Sequence, residues 1–256
     1  MANAPADPPI SRRRALGWLG AAGAAAVAAA CSKSSSDSAA PTSSTGPSSA
    51  IQPTTTVNSA ADGTAPAPAC VLTPEMTEGP FYIDGEAVRS DVTDGKPGVP
   101  LQLRLTVVDA GTCKPIPGAA VDIWHADASG EYSGFGASSS NRTFLRGIQM
   151  AGSDGKVEFR TIYPGWYQGR VEHIHVKVHA GGSVVHTGQL FFDPAVSDAV
   201  YATAPYNAHT GARTTAAQDG IYRNGGSKST LDLTKQGDGY LGTLTMGVSR
   251  SAAPET

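Results

Sequence analysis

Two stretches of this chain hold most of the side chains that could do chemistry. One is Trp124-His125-Ala126-Asp127-Ala128-Ser129-Gly130-Glu131-Tyr132; the other runs from Arg160 to His175. In the second, His173 and His175 are two residues apart. On a strand such a pair points to one face, about 6.6 Å apart along the chain, while Ile174, Val176 and Val178 point to the other. Two converging imidazoles can chelate a metal, although the same spacing also suits a solvated strand face. Tyr167 lies just upstream, in Pro164-Gly165-Trp166-Tyr167. A phenol with its ordinary pKa near 10 rarely binds divalent ions. A hard trivalent cation can deprotonate it, because a bound ion inverts the local pKa logic. Two phenolates and one hydroxide would neutralise Fe(III), and two neutral imidazoles would bring its ligands to about five. Arg170, between Tyr167 and His173, carries a permanent charge that could face an anion or simply pair with an acid such as Glu172.

The elements that must hold these residues read as strands. Leu101–Val107 alternates apolar and polar residues, and Ala120–Trp124, Lys156–Ile162, His173–His179, Val184–Phe192 and Gly242–Val248 read as further strands. Turn signals separate them, among them Asp109-Ala110-Gly111, Ser153-Asp154-Gly155, Tyr163-Pro164-Gly165 and Ala180-Gly181-Gly182. Only Ser197–Tyr206 could make a short helix. Strands joined by short turns, without crossover helices, predict an all-β fold, an antiparallel β-sandwich with long loops carrying the metal site.

The rest of the chain sets the context. Charged residues make up 16% of the 256 residues and the net charge is −3, which argues against a nucleic-acid partner. Residues 1–31 read as an export signal. Arg12-Arg13-Arg14 precedes an apolar stretch from Leu16 to Ala30, about 15 residues long and short for a membrane span. The arginines resemble a twin-arginine signal, and Ala28-Ala29-Ala30-Cys31 resembles a lipobox, which would put a lipid anchor on Cys31. The alternative is a cut after Ala30 that releases the protein. Residues 32–69 are mainly Ser, Thr, Ala and Pro and read as a disordered tether. The folded domain is expected over 70–250, with a tail at 251–256. Cys70 and Cys113 lie in the exported part, where a disulfide is expected.

With these residues on the page, a resemblance is specific. Pro164-Gly165-Trp166-Tyr167 followed by Arg170-Val171-Glu172-His173-Ile174-His175 resembles the signature of the intradiol ring-cleavage dioxygenases, which include catechol 1,2-dioxygenases and protocatechuate 3,4-dioxygenase. Trp124–Tyr132 is similar to the segment giving that family's first Tyr ligand. Thr77-Glu78-Gly79-Pro80-Phe81-Tyr82 resembles its entry segment, and Gln189 sits where the family has an active-site Gln. The likeness runs over about residues 72–225. It implies a non-haem Fe(III) held by Tyr132, Tyr167, His173 and His175. It implies further that Tyr167 yields its place to the substrate, that Arg170 stabilises the substrate's negative charge, and that Gln189 is catalytic. The implied reaction joins a catechol with O2 to give a cis,cis-muconate-type product. The substrate supplies the electrons, so no nicotinamide or flavin is implied, and the chain has no Gly-rich dinucleotide fingerprint.

Other residues have plainer expectations. His125 reads as a neighbour of the site and not a ligand. His179 shares the ligand face but lies too far along the strand for the same ion. His186 and His209 read as surface or loop, Trp166 as packing or pocket lining, and Tyr82 as cleft wall or core. Tyr163 could replace Tyr167 by composition alone. A non-catalytic metal- or ligand-binding surface lipoprotein is the alternative from another class; a zinc or copper enzyme using the two His is a third. The sequence leaves the particular catechol and the oligomeric state open.

Overall fold

The longest alternating run becomes the spine of the fold. In the computed structural model, which describes residues 70–250, Pro100–Asp109 forms strand β1, with Leu101, Leu103, Leu105 and Val107 fully buried. Ala120–Trp124 (β2), Arg146–Met150 (β3), Lys156–Ile162 (β4), Ile174–Ala180 (β5) and Ser183–Leu190 (β6) follow. Helix α1 (Pro194–Tyr201) and the short helix α2 (Gly220–Arg223) come next, then β7 (Asp232–Gln236) and β8 (Gly239–Val248). The strands make two four-stranded sheets, β4-β1-β8-β7 and β3-β2-β5-β6. Side chains of both sheets share one buried apolar cluster. Leu103, Leu105, Phe159, Met246 and Val248 come from the first sheet, and Val121, Ile123, Ile174, Val176 and Val178 from the second.

The sheets are not wholly antiparallel, as the short turns had suggested. β1 and β8 pair in parallel, from Leu101 opposite Tyr240 to Asp109 opposite Val248. A parallel pair needs a long connection. Here the whole second sheet lies between the two strands in sequence, which a reading of local turns does not detect. β3 and β7 also escaped that reading. Arg-Gly-Ile-Gln-Met has no clean alternation, and Asp-Leu-Thr-Lys-Gln is a mostly exposed edge strand. α1 starts before Ser197 because Asp193 caps it, accepting from Ala195 N and Val196 N, with Pro194 in the first turn. α2 was missed; it is one turn long and capped by Asp219.

The outer face of β5 is covered by the N-terminal segment. Met76 N donates to Thr187 O, Lys177 pairs with Glu78, and Gly79 lies against His175. His175 and Lys177 are therefore buried, and the expected choice between a metal site and a solvated face is removed. The same cover corrects the reading of His186, which is 1% exposed and donates from Nδ1 to Glu75 at 2.6 Å. The segment is tied at its start by a disulfide between Cys70 and Cys113, as expected. Closing a loop of about 44 residues stabilises the fold by about 4 kcal/mol in the chain-entropy model. The expected export signal (1–31), tether (32–69) and tail (251–256) lie outside the described residues. Among the described residues, no helix is long and apolar enough to cross a membrane.

Candidate metal centre

The two chemical stretches meet because glycines let their backbones touch. A Cβ on Gly165 would stand 2.0 Å from Asp127 O, and one on Gly130 would stand 2.4 Å from Trp166 O. Gly130 also has φ +84°, which favours glycine. Asp127 shapes the first loop: its Oδ1 accepts from Ser129 N, Ser129 Oγ and Glu131 N, and its Oδ2 pairs with Lys96. The loop that follows carries Tyr132 inward beside Tyr167, with ring centroids 5.8 Å apart. Tyr132 is 3% exposed, whereas Tyr167 is only partly buried.

The histidines enter from the start of β5. His175 is on the strand, and His173 is one residue before it, so the strand begins slightly later than its alternation suggested. His173 Nδ1 donates to Val171 O at 2.6 Å. That bond fixes the tautomer and leaves the Nε2 lone pair facing inward. There it lies 3.0 Å from His175 Nε2 and 3.3 Å from Tyr167 Oη. His175 is held by a stack on Trp124, with centroids 4.9 Å apart and planes 6° off parallel. On its other side a Cβ on Gly79 would come within 3.2 Å of His175 Cε1, and Gly79 has φ +71°. Phe81 stacks on Tyr132 at 4.3 Å and meets Tyr167 edge-on. The segment that seals the site is thus the Thr77–Tyr82 run.

Arg170 completes the group. Its Nη1 is 3.4 Å from His173 Nε2, its Nη2 donates to Gln189 Oε1, and its Nε donates to Asp219 Oδ2 at 2.9 Å. Gln189 stands opposite His175 across the β5–β6 pairing and donates from Nε2 to Thr77 O at 2.9 Å. All six sequence-predicted site residues, Tyr132, Tyr167, Arg170, His173, His175 and Gln189, are therefore brought together. Two neighbours carried no sequence signal. Arg146 is 1% exposed, bonds to Ser133 O and Oγ, and lies over the Tyr132 ring. Asp219 sits in an Asp-Gly pair that reads as an ordinary turn.

The residues set aside are held elsewhere. His125 is buried with both ring nitrogens engaged: Nδ1 donates to Ala126 O and Nε2 accepts from Thr161 Oγ1. Tyr163 Oη bonds to Ser197 Oγ at 2.7 Å and does not replace Tyr167. Trp166 stacks on His209 at 4.0 Å, and Tyr82 packs on Trp124 under the Lys177 ammonium.

Burial sets the electrostatics. It holds the His173 imidazolium pKa down to about 3, helped by Arg170, and pushes that of His175 well below its ordinary value, helped by His173. Burial raises both phenols; Arg170 works against the rise at Tyr167. Tyr132 Oη and His175 Nδ1 are buried without a hydrogen-bond partner. The protein has thus gathered two neutral imidazoles and two neutral phenols whose inward-facing atoms meet little besides one another and Arg170. This donor set fits a hard cation, which is the species able to make both phenols anionic. Among the described residues, no group of three or more His, Cys, Asp or Glu is placed to hold a metal, so any ion here needs the phenols.

Comparisons with known proteins point the same way. A protein-family model described as dioxygenase matches residues 73–224. An intradiol ring-cleavage dioxygenase from Tetranychus urticae has a similar structure. It is 37% identical, with TM-score 0.70 over 72% of this chain and 98% of that one. The dioxygenase domain of a carbohydrate-binding fusion protein from Streptomyces sp. SirexAA-E is 30% identical, with TM-score 0.56 over 70% of this chain and 99% of that one. Catechol 1,2-dioxygenase 1 of Acinetobacter lwoffii is 39% identical over 101 residues, covering 37% of this chain and 32% of that protein. The matched region spans 32–56% of the length of the first curated relatives.

The buried histidines make stability pH-dependent in the metal-free protein. Unfolded His accepts a proton near its ordinary pKa of about 6.5, whereas folded His173 resists until about 3 and His125 until about 4, and His175 shifts the same way. The unfolded chain then binds more protons, so this stability is present above pH ~6.5 and drains away as the pH falls. Asp122, buried and raised to about 7, opposes by about one proton. Followed by urea unfolding, stability should fall by on the order of 2–3 kcal/mol per pH unit between about pH 6 and about pH 5, two protons' worth. A flat profile over that range would contradict neutral burial of the imidazoles.

Proposed function

Because the chain belongs to the intradiol ring-cleavage dioxygenase family, we propose that it opens the aromatic ring of catechol-type substrates between the two hydroxylated carbons, using O2. The observation that carries this is the convergence of Tyr132, Tyr167, His173 and His175 with Arg170 Nη1 beside them. On this reading the two sheets are the layers of a β-sandwich, and the site lies where its loops meet the start of β5. Their shared buried cluster supports that arrangement. Tyr132, Tyr167, His173 and His175 would hold a non-haem Fe(III). When bound, the ion supplies the Lewis acidity that lets a catechol bind as its dianion and makes the ring reactive toward O2.

The chain's own residues then divide the work. Tyr167, the more exposed phenol and the one nearer Arg170, takes up a substrate proton at Oη. Tyr132 stays, buried and stacked under Phe81. Arg170 presents Nη1 to the negative charge that develops on the substrate, a preorganised donor of the kind that contributes most to such catalysis. Gln189 holds Arg170 and anchors Thr77, so it couples the guanidinium to the covering segment. Phe81, Trp124 and the Gly79 backbone exclude water, which strengthens every charge interaction inside. Both oxygen atoms of O2 end in the product and the substrate is oxidised, so no reductant is needed.

The reading extends to the cell surface. An export signal ending at Cys31, a lipid anchor on that Cys and a tether over 32–69 would place the domain outside the cytoplasm. The Cys70–Cys113 bridge supports an oxidising compartment.

Two experiments test these points. Oxygen uptake with catechol should fall by about 10²–10³ in Arg170→Ala, while the protein keeps its iron and most of its visible colour. Near-normal turnover by iron-replete Arg170→Ala would remove Arg170 from the mechanism. For the anchor, wild-type protein should partition into detergent and Cys31→Ser should not; identical partitioning would favour release as a soluble protein.

A further inference from the structure

Asp219 is held more tightly than a helix cap requires. Its side chain is 1% exposed. Oδ1 caps α2 by accepting from Ile221 N at 2.8 Å and Tyr222 N at 3.2 Å. That task needs one oxygen, and Ser, Thr or Asn performs it as well. The second oxygen faces away from the helix and accepts from Arg170 Nε and Val171 N, each at 2.9 Å. Burial of the carboxylate works against its charge, and these donors hold its pKa below the ordinary value all the same. The helix it caps is fixed in turn, since Tyr222 packs edge-on against Phe191 at 5.0 Å, just beyond β6.

The consequence falls on Arg170. A guanidinium has five donors in one plane. Asp219 holds the Nε edge and Gln189 holds Nη2, leaving Nη1 as the end nearest His173 Nε2. Two acceptors on different edges fix both the plane and the direction of a side chain that otherwise has many rotamers. Gln189 alone would let the plane swing about one bond. We propose that Asp219 is a positioning residue: it clamps Arg170 so that Nη1 points at the substrate's developing negative charge. This rests on the ring-cleavage reading above.

The clamp predicts an effect that passes through Arg170. Four full-length, iron-loaded proteins are compared: wild type, Asp219→Asn, Arg170→Ala and the double variant. Asn keeps the cap but presents an amide where Arg170 needs an acceptor. Asp219→Asn should keep its iron content and visible band and lose about 10²-fold in kcat/KM for catechol, the scale of a misplaced group. In the Arg170→Ala background the same change should alter kcat/KM by less than about threefold, because the residue it acts through is gone. Wild-type turnover in Asp219→Asn overturns the proposal. So does an equal loss in both backgrounds, or a loss accompanied by falling iron content, which would mean that Asp219 acts through Val171 and the donor loop. A second readout needs no turnover. The Arg170 Nε–H resonance of the metal-free full chain, seen by ¹⁵N NMR, should exchange slowly in wild type and rapidly in Asp219→Asn. If wild type consumes no oxygen with catechol, the ring-cleavage reading fails on its own, and an unchanged Nε–H signal still overturns the clamp.

Discussion

Two imidazole nitrogens held 3.0 Å apart, in a place where neither ring readily takes a proton, are the constraint on which the rest depends. Left in water, such rings would hydrate or move apart. Here one is fixed by a backbone carbonyl and the other by an indole face. The phenols that join them, Tyr132 buried and Tyr167 partly so, are kept neutral by the same desolvation. A buried polar atom without a partner costs on the order of 1–3 kcal/mol, and among the converging atoms Tyr132 Oη is one; the unpartnered His175 nitrogen is Nδ1, on the far side of the ring from the Nε2 that faces His173. A hard cation among them would satisfy Tyr132 Oη and take the Nε2 lone pairs of both rings.

The surrounding architecture follows from the need to keep that cluster dry. The β3-β2-β5-β6 sheet supplies a rigid floor whose other face is buried against the first sheet. Gly165 and Gly130 allow the two tyrosine-bearing loops to approach closely. The segment from Cys70 to Tyr82 closes the outer side, tied by a disulfide at one end and resting Gly79 on His175 at the other. Besides buried Arg146, which lies over the Tyr132 ring, Arg170 is the charge in this otherwise neutral setting. It is tolerated because Asp219 balances its charge and because it is partly accessible from the open side, near Tyr167. Of the two guanidiniums beside the donors, Arg170 is the one held at a rim, where an anionic substrate would arrive, while Arg146 is buried against Tyr132.

How much of this was legible in the sequence depended on the range of the interaction. β2 and β4 have the boundaries their alternation suggested, and β1 extends only slightly beyond its own. The six residues that the fold brings together were legible mainly through a family resemblance carried by short motifs; spacing alone offered the His173 and His175 pair, of which only His175 lies on the strand, and the Pro-Gly turn before Tyr167. The parallel pairing of β1 with β8 was not legible, since it joins segments far apart in the chain. His186 looked like surface because nothing near it in sequence announces that Glu75 covers it. Asp219 and Arg146 were invisible for the same reason. An Asp before Gly and an Arg in an irregular strand become site neighbours only when loops from elsewhere fold over them.

The central claim is that these four donors form one site for ferric iron. Its most direct test is titration of the metal-free protein with Fe(III), followed by visible absorption, for wild type and Tyr132→Phe side by side. The account predicts a red to burgundy band in wild type that saturates at about one ion per chain, with the phenols deprotonating as the ion binds. In Tyr132→Phe the band should shift or bleach and the affinity should fall. A colourless wild-type complex, or the same spectrum and affinity in both proteins, would contradict it.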